Sequence, residues 1–396
     1  MHFTEAEEKR LALNPGDLLV CEGGDIGRTA IWNGALPRCY YQNHLHRARL
    51  RDNFLTDSQF ALYWLWYAFK IGKVYFGRGN VTTIPNLSQS KLCELPLPVP
   101  PLPEQRKIAG ILGVVQRAIE QQERLIVLTK ELKKALMQKL FTEGLRGELQ
   151  KQTEIGPVPE SWDLVPCEDL CEMITVGVVV KPASHYIEKG IPAFRSFNVQ
   201  EDRLALNNLV YFSENANDTA LAKSKLRAGD VLVVRTGYPG TSCVVPKKYD
   251  GANCIDLVIV RPKDGVILSG FLSRFFNAPA GKDQAIAAKH GLAQQHLNVS
   301  AVKRTVVPVP PLEEQEEIDA ALATVQQKIA LITAKKDVLT TFFRTLLHQL
   351  MTAQLRVHDL DLDILECGDG SPLSYTGTRP GDQSAVVPAH SKRGRR

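Results

Sequence analysis

The sequence predicts a mixed α/β (α+β) protein. It has two similar globular domains, each followed by a long helix, and the two helices pair as an antiparallel coiled coil. Three observations lead there. The segment Val99–Gln105 (VPPLPEQ) recurs as Val309–Gln315 (VPPLEEQ). Each copy opens a long stretch with heptad-spaced apolar residues. Each copy is also preceded by short β-branched runs bounded by glycine, the local signature of strands and turns.

The repeat comes first, because it organises everything else. At a constant offset of 210, 16 of the 48 positions from Val99 to Arg146 are identical to those from Val309 to Arg356. Upstream, Gly16-Asp17-Leu18-Leu19-Val20 parallels Gly229-Asp230-Val231-Leu232-Val233, and Gly24 and Gly27 fall on Gly237 and Gly240. Asn86–Ser90 parallels His296–Ser300. The offset drifts by three between these blocks, as loop-length changes produce.

In the globular parts, GDLLV, GDVLVV and CIDLVIV (Cys254–Val260) read as strands, and FLSRFF reads as a helix. Phe60–Phe69 (FALYWLWYAF) suits a helix or a buried strand. The proline blocks Leu95–Pro103 and Val306–Leu312 cannot be helical, and each suits a helix start. Glu313, Glu314, Glu316 and Glu317 then favour the positive end of the helix dipole. In the second helix Ile318, Leu322, Val325, Ile329, Ile332, Leu339, Phe343, Leu346 and Leu350 recur at alternating four and three, broken only at Lys336. That is a coiled-coil seam. The matching row of the first helix is Ile108, Leu112, Val115, Ile119, Gln122, Ile126, Thr129, Lys133, Leu136 and Leu140. Three of these are polar, and Leu125, Leu128 and Leu132 offer a shifted stripe, so a stutter is expected there. At ~1.5 Å per residue each helix is ~58 Å long. Two such helices should pack on each other; the alternative is that each caps its own domain.

Composition bounds the function. A chain of 396 residues exceeds one ordinary domain of ~150. Its longest apolar run is about half of a bilayer span, which excludes a membrane-embedded protein. The eight cysteines form no CxxC pair, which favours reduced thiols in the cytoplasm, and the charged N-terminus does not read as a signal peptide. A net charge of +5 is mildly basic and alone decides little.

No enzyme signature is found: no P-loop, dinucleotide fingerprint, adenine-methylation NPPY-type run, HExxH or GxSxG occurs. No metal site is expected. His44 and His46 alternate along a strand beside Arg47 and Arg49, which suits surface or phosphate contact better than a metal. What remains is a set of basic and amide side chains suited to phosphates and base edges. In the first domain these are Arg28, His44, Arg47, Arg78, Asn80 and Thr82. In the second they are Arg195, Asn198, Arg235, Tyr238, Lys247, Lys248, Lys289, His290, Gln294 and Gln295. Taken singly, each also fits a solvated face. The case for DNA rests on two similar domains held a fixed distance apart, which suits two half-sites and a spacer.

The paired VPPLPEQ and VPPLEEQ helix starts, LFTEGLRGE (Leu140–Glu148) and IGPVPESWDLV (Ile155–Val165) resemble the specificity (S) subunit of type I restriction–modification systems. The resemblance covers residues 3 to 357. It implies a first target recognition domain at 1–98, a first conserved helix at 99–147, a linker at 148–160, a second recognition domain at 161–308 and a second helix at 309–357. A tail at 358–396, polar and patternless, is expected to be mostly disordered, its basic end solvated or touching DNA. The chain would be non-catalytic, without a cofactor of its own. It would read a bipartite site in double-stranded DNA and dock two methylation (M) subunits using S-adenosylmethionine, with restriction (R) subunits supplying ATP- and Mg-dependent cleavage. A decayed scaffold that binds methylation subunits without discriminating DNA is the alternative. Base-reading residues vary within such a family, so none is carried over. Gly16-Asp17, Gly229-Asp230, the paired glycines, Leu87 and Leu297 are read as scaffold. Phe3-Thr4 is the counterpart of Phe212-Ser213, so the opening half of the first domain is expected to be missing. A misplaced start, a truncated gene or supply from another chain would each explain that.

Overall fold

The computed structural model describes residues 4–51, 55–72, 74–75, 86–290 and 296–359; the side chains of residues 288–290 and 359 are not described. Its contacts divide into two units, 1–127 with 332–396 and 128–331. Of the tail expected at 358–396, His358 and Asp359 belong to a 3-10 turn begun at Val357, and residues from 360 onward lie outside the described residues.

Unit 1 begins with α1 (Glu5–Leu11), capped by Thr4 in a reciprocal box with Glu7. Strands β1 (Leu18–Cys21), β2 (Thr29–Ile31) and β3 (Leu45–Ala48) form an antiparallel sheet in the order β2-β1-β3. The ambiguous apolar run is helical: α2 (Ser58–Trp66), capped by Asp57, passes into a π turn at Tyr67–Ile71. Short α3 (Gln89–Cys93), capped by Ser88, precedes the proline block and α4 (Leu102–Glu143).

Unit 2 opens with the hairpin β4 (Gln150–Thr153) and β5 (Gly156–Pro159), then β6 (Asp163–Pro166) and β7 (Cys171–Val176). Next come β8 (Tyr186–Ile187), β9 (Ile191–Phe194), the ribbon β10 (Val199–Gln200) and β11 (Arg203–Leu204), and β12 (Val210–Phe212). After α5 (Glu214–Asp218) come β13 (Val231–Val234), β14 (Ser242–Val244), β15 (Asn253–Cys254) and β16 (Leu257–Pro262). The run CIDLVIV is therefore not one strand. It breaks at Ile255-Asp256, where Asp256 takes a left-handed φ of 52° and the chain passes from one sheet to another. Helices α6 (Ser269–Asn277), α7 (Pro279–His290) and α8 (Val299–Arg304) and strand β17 (Val306–Val309) follow, and α9 (Leu312–Met351) begins in unit 2 and belongs to unit 1 from residue 332.

The central sheet of unit 2 is antiparallel, in the order β14-β13-β16-β7, and β13 is buried on both faces. Val231, Val233, Val258 and Val260 face Phe271 and Phe275 of α6, Trp162, and Met137, Leu140 and Phe141 of α4, with Ile318 and Leu322 of α9. Leu232, Val234, Leu257 and Ile259 face the opposite way, toward Phe194 and Leu226. In unit 1 the core joins Leu18, Phe60 and Tyr63 to Ile108, Leu112 and Val115 of α4 and to Phe343, Leu346, Leu347 and Leu350 of α9. The start of α4 thus meets the end of α9, and the end of α4 meets the start of α9. The helices pair antiparallel.

The expected stutter is absent. Leu125, Leu128 and Leu132 lie exposed, while Gln122 and Lys133 are buried in the original row. Burying an ammonium without a partner would cost several kcal/mol. Lys133 is matched instead by an ion pair with Asp202 and a hydrogen bond to Gln326 (2.7 Å). Across the rest of the row Ile119 and Leu136 are half-buried and Leu140 is buried; on α9 Val325 is half-buried and Ile329 buried.

Candidate nucleic-acid interface

Strand polarity defines one end of each sheet. In unit 2, Val234 at the end of β13 lies opposite Leu257 at the start of β16, and Val258 lies opposite Val176 at the end of β7. The segments 177–181, 235–241 and 255–256 therefore leave the sheet at the same end. Leu297 donates its N–H to the Arg235 carbonyl (3.0 Å), which brings 296–298 to that end as well. Ile255 donates to the Phe194 carbonyl (2.8 Å), so Arg195 leaves β9 beside Ile255.

The turn between β13 and β14 is built tightly. Gly237 and Gly240 have φ of 87° and 84°, a region open to glycine. A Cβ on Gly240 would lie 3.0 Å from the Ala285 Cβ. Unit 1 repeats the arrangement at Gly24 and Gly27, φ 71° and 74°, where a Cβ on Gly27 would overlap the Phe69 ring. Leu87 donates to the Glu22 carbonyl (2.8 Å) as Leu297 does to Arg235. The two sheet ends share one backbone frame.

Scaffold ion pairs anchor the frame from behind. Asp17 receives Nε and Nη2 of Arg49, both at 2.6 Å, and Asp230 receives the same atoms of Arg261 at 2.7 and 2.8 Å. Burial pushes the Asp17 carboxyl up, but hydrogen bonds from Arg49 and the Asn14 N–H more than offset it and hold it below its ordinary value.

The sequence-selected residues divide by position. Tyr238 stands at the tip of the turn, 84% exposed. Arg235 lies beneath it, half-buried, donating Nε to the Leu297 carbonyl (3.0 Å) and ion-pairing with Asp256. Arg195 stacks over the Phe197 ring at 4.5 Å and donates Nη2 to the Asn208 carbonyl, while its buried Nε has no partner. Lys247 and Lys248 are exposed, but they follow β14 at the opposite end of the sheet. Asn198 is fully buried. It donates to the Ala205 (2.9 Å) and Asn207 (3.0 Å) carbonyls and accepts from the Arg195 N–H, so it holds a turn and reads nothing. Lys289 and His290 end α7, and their side chains are not described; Gln294 and Gln295 lie outside the described residues.

In unit 1, Arg28 and His44 are exposed at the equivalent end. Arg47 is half-buried, donating Nη1 to the Ala12 carbonyl (2.6 Å) with its guanidinium over Tyr41, which makes it part of the scaffold. His46 donates from Nε2 to the Leu87 carbonyl, again a structural role. Arg78, Asn80 and Thr82 lie outside the described residues. The sequence reading missed Val179 and Val180, exposed by 49% and 74%; His296 stands at the same end, its Nδ1 2.7 Å from the Thr236 hydroxyl. The only signal for the valines was their place after Gly177, and a valine run argues for burial rather than exposure. Among the described residues no group of three His, Cys, Asp or Glu side chains could hold a metal ion, and no helix is long and apolar enough to cross a membrane.

The type I restriction modification DNA specificity domain matches residues 4–130 and 159–341, most of the chain and both copies of the repeat. The chain belongs to that family. Among its relatives in the specificity family is the type I restriction enzyme MjaVIII specificity subunit of Methanocaldococcus jannaschii, 22% identical over 372 residues, covering 91% of this chain and 84% of that one. The EcoBI specificity subunit of Escherichia coli is 26% identical over 251 residues, 60% of this chain and 52% of that protein. The fold matches the S subunit of M. genitalium with a TM-score of 0.56 at 17% identity, over 86% of this chain and 84% of that one. A second solved structure, of a type I system, matches with a TM-score of 0.54 at 20% identity, covering 87% and 83%.

Proposed function

We propose that this chain is the non-catalytic DNA sequence-recognition subunit of a type I restriction–modification complex. Each unit reads one half of a bipartite duplex target at the sheet end described above, and the antiparallel helix pair docks two methylation subunits. Those subunits supply S-adenosylmethionine-dependent methylation of adenine. Restriction subunits supply ATP- and Mg-dependent cleavage. This chain carries no cofactor of its own, and the complex works in the cytoplasm.

One observation carries the reading: the two sheet ends share a backbone frame and differ in chemistry. Glu22 and His44 occupy the positions that Arg235 and Asp256 hold in unit 2, so an acid stands where unit 2 has a base, and an imidazole where it has a carboxylate. A surface duplicated for one ligand would keep its charge. A frame that presents different side chains to a sequence of bases changes them, because specificity lies in base-edge contacts while phosphate contacts only position.

The test is binding of the chain with its methylation subunits to cognate and scrambled duplexes across a salt titration. Each correct base pair should be worth about 1–3 kcal/mol, above a phosphate term that weakens with salt. Equal binding of cognate and scrambled duplexes would leave the chain as an assembly scaffold without discrimination.

A further inference from the structure

We infer that Tyr238 is a specificity-determining contact of unit 2, packing the face of its ring on the bases of that unit's half-site. This rests on the DNA-reading function proposed above. At 84% exposure Tyr238 is the barest large apolar side chain among the described residues, and no hydrogen bond, ion pair or ring contact engages it there. A single exposed apolar residue is ordinary on a protein surface. Three further facts set this one apart.

First, its backbone is fixed. Gly240 donates to the Val234 carbonyl (3.0 Å), Thr241 donates to the Tyr238 carbonyl (3.2 Å), and Val234 donates to the Thr241 carbonyl (2.8 Å). Gly240 itself sits against Ala285. A ring held on such a turn has little backbone freedom left to lose on binding, which makes it an efficient anchor.

Second, the ring is not needed to build the turn. Unit 1 closes the equivalent turn with the same bonds, Gly27 to the Cys21 carbonyl (3.1 Å) and Arg28 to the Asp25 carbonyl (3.0 Å), around Asp25. The Asp25 carboxylate there ion-pairs with Lys70. Tyr238 is thus free of any scaffold duty its counterpart shares.

Third, its surroundings suit a base rather than a phosphate. The exposed Val179 and Val180 leave the same end of the sheet, and the nearest cation on the turn, Arg235, is already engaged by Asp256 and the Leu297 carbonyl. An aromatic face at a sheet end that also carries exposed aliphatic side chains suits the apolar surfaces DNA offers: a thymine methyl, or a base plane at an opened step.

The experiment uses the full chain with its methylation subunits and S-adenosylmethionine on a random-sequence duplex library, followed by sequencing of the methylated sites. Wild type should yield a two-part motif. Tyr238→Ala should lose base preference, by about tenfold at one or two positions, in one half only, with the other half and the spacing intact. Tyr238→Phe should keep the wild-type motif, because the ring and not the hydroxyl makes the contact. An unchanged motif for Tyr238→Ala, or equal loss for Tyr238→Phe and Tyr238→Ala, would overturn the inference while leaving DNA reading intact. A wild-type library with no motif would overturn DNA reading and this inference together.

Discussion

The two units compare as one frame carrying two faces. At the root of each long helix the same glutamine makes the same three bonds. Gln105 donates to the Pro100 and Leu55 carbonyls (2.8 Å each) and accepts from the Asp57 N–H (2.9 Å). Gln315 donates to the Pro310 (2.9 Å) and Val266 (3.3 Å) carbonyls and accepts from the Leu268 N–H (2.9 Å). The proline motif is therefore a joint. It lashes the helix start to its own proline turn and to the segment that leads into α2 in unit 1 and α6 in unit 2. The frame differs where it meets other parts. Glu314 accepts from the Trp162 Nε1 (3.2 Å) and the Leu145 N–H (2.7 Å), while Glu104 takes the guanidinium of Arg356. In unit 2 the strand β7 covers one edge of β16; in unit 1 the equivalent edge of β3 has no strand beside it among the described residues. Duplication has kept the joints and the strands and changed the loops, which is what a modular reader requires.

The strongest way to break the comparison is at the helix seam. Leu112 and Leu322 are repeat equivalents, both fully buried. Leu112→Ala and Leu322→Ala should each destabilise by ~2–5 kcal/mol, from lost transfer energy and the cavity left behind. Denaturant unfolding measures both. A cost confined to one of them would mean that the seam is a true core in only one unit.

Next in size come the joints. Gln105→Ala and Gln315→Ala each strand a buried N–H and two carbonyls, at a cost of ~1–3 kcal/mol. Equal losses in thermal unfolding are expected from the equal bonding. A silent Gln105→Ala beside a damaging Gln315→Ala would show that the first joint is dispensable.

How much of this was legible follows from period and from partners. The helix pair was legible because heptad spacing is a property of one segment. The direction of the seam at its polar positions was not. Lys133 looks unfit for a core until Asp202, 69 residues away on a turn with φ of 62°, supplies its counter-charge. Leu125, Leu128 and Leu132 then have no reason to turn inward. The scaffold role of Asp17 and Asp230 was legible from repetition alone. The site was less so. Asn198 reads like a base contact by residue type, yet its amide is consumed by the turn it closes, and Val180 reads like core yet stands in solvent. Side-chain type gives the chemistry available; only the surrounding backbone decides whether that chemistry faces out.

The smallest effect, and the sharpest comparison, lies in the paired aspartates. Asp17 and Asp230 are both about 1% exposed, but their arginines differ: the Arg49 side chain is 44% exposed and Arg261 only 13%. Asp17→Asn leaves a guanidinium that water can reach, and should cost about 1 kcal/mol. Asp230→Asn strands a largely buried charge and should cost more, by about 1 kcal/mol. Acid adds a second reading. The folded Asp17 carboxyl titrates below its ordinary value, so its contribution is complete above the unfolded value and is lost as pH falls through the folded one. Stability followed from neutral pH down to about pH 2 should therefore show wild type and Asp17→Asn converging in the acid range. A constant gap between them at every pH would mean that the ion pair stabilises this sheet by shape alone, with the charge of Asp17 playing no part.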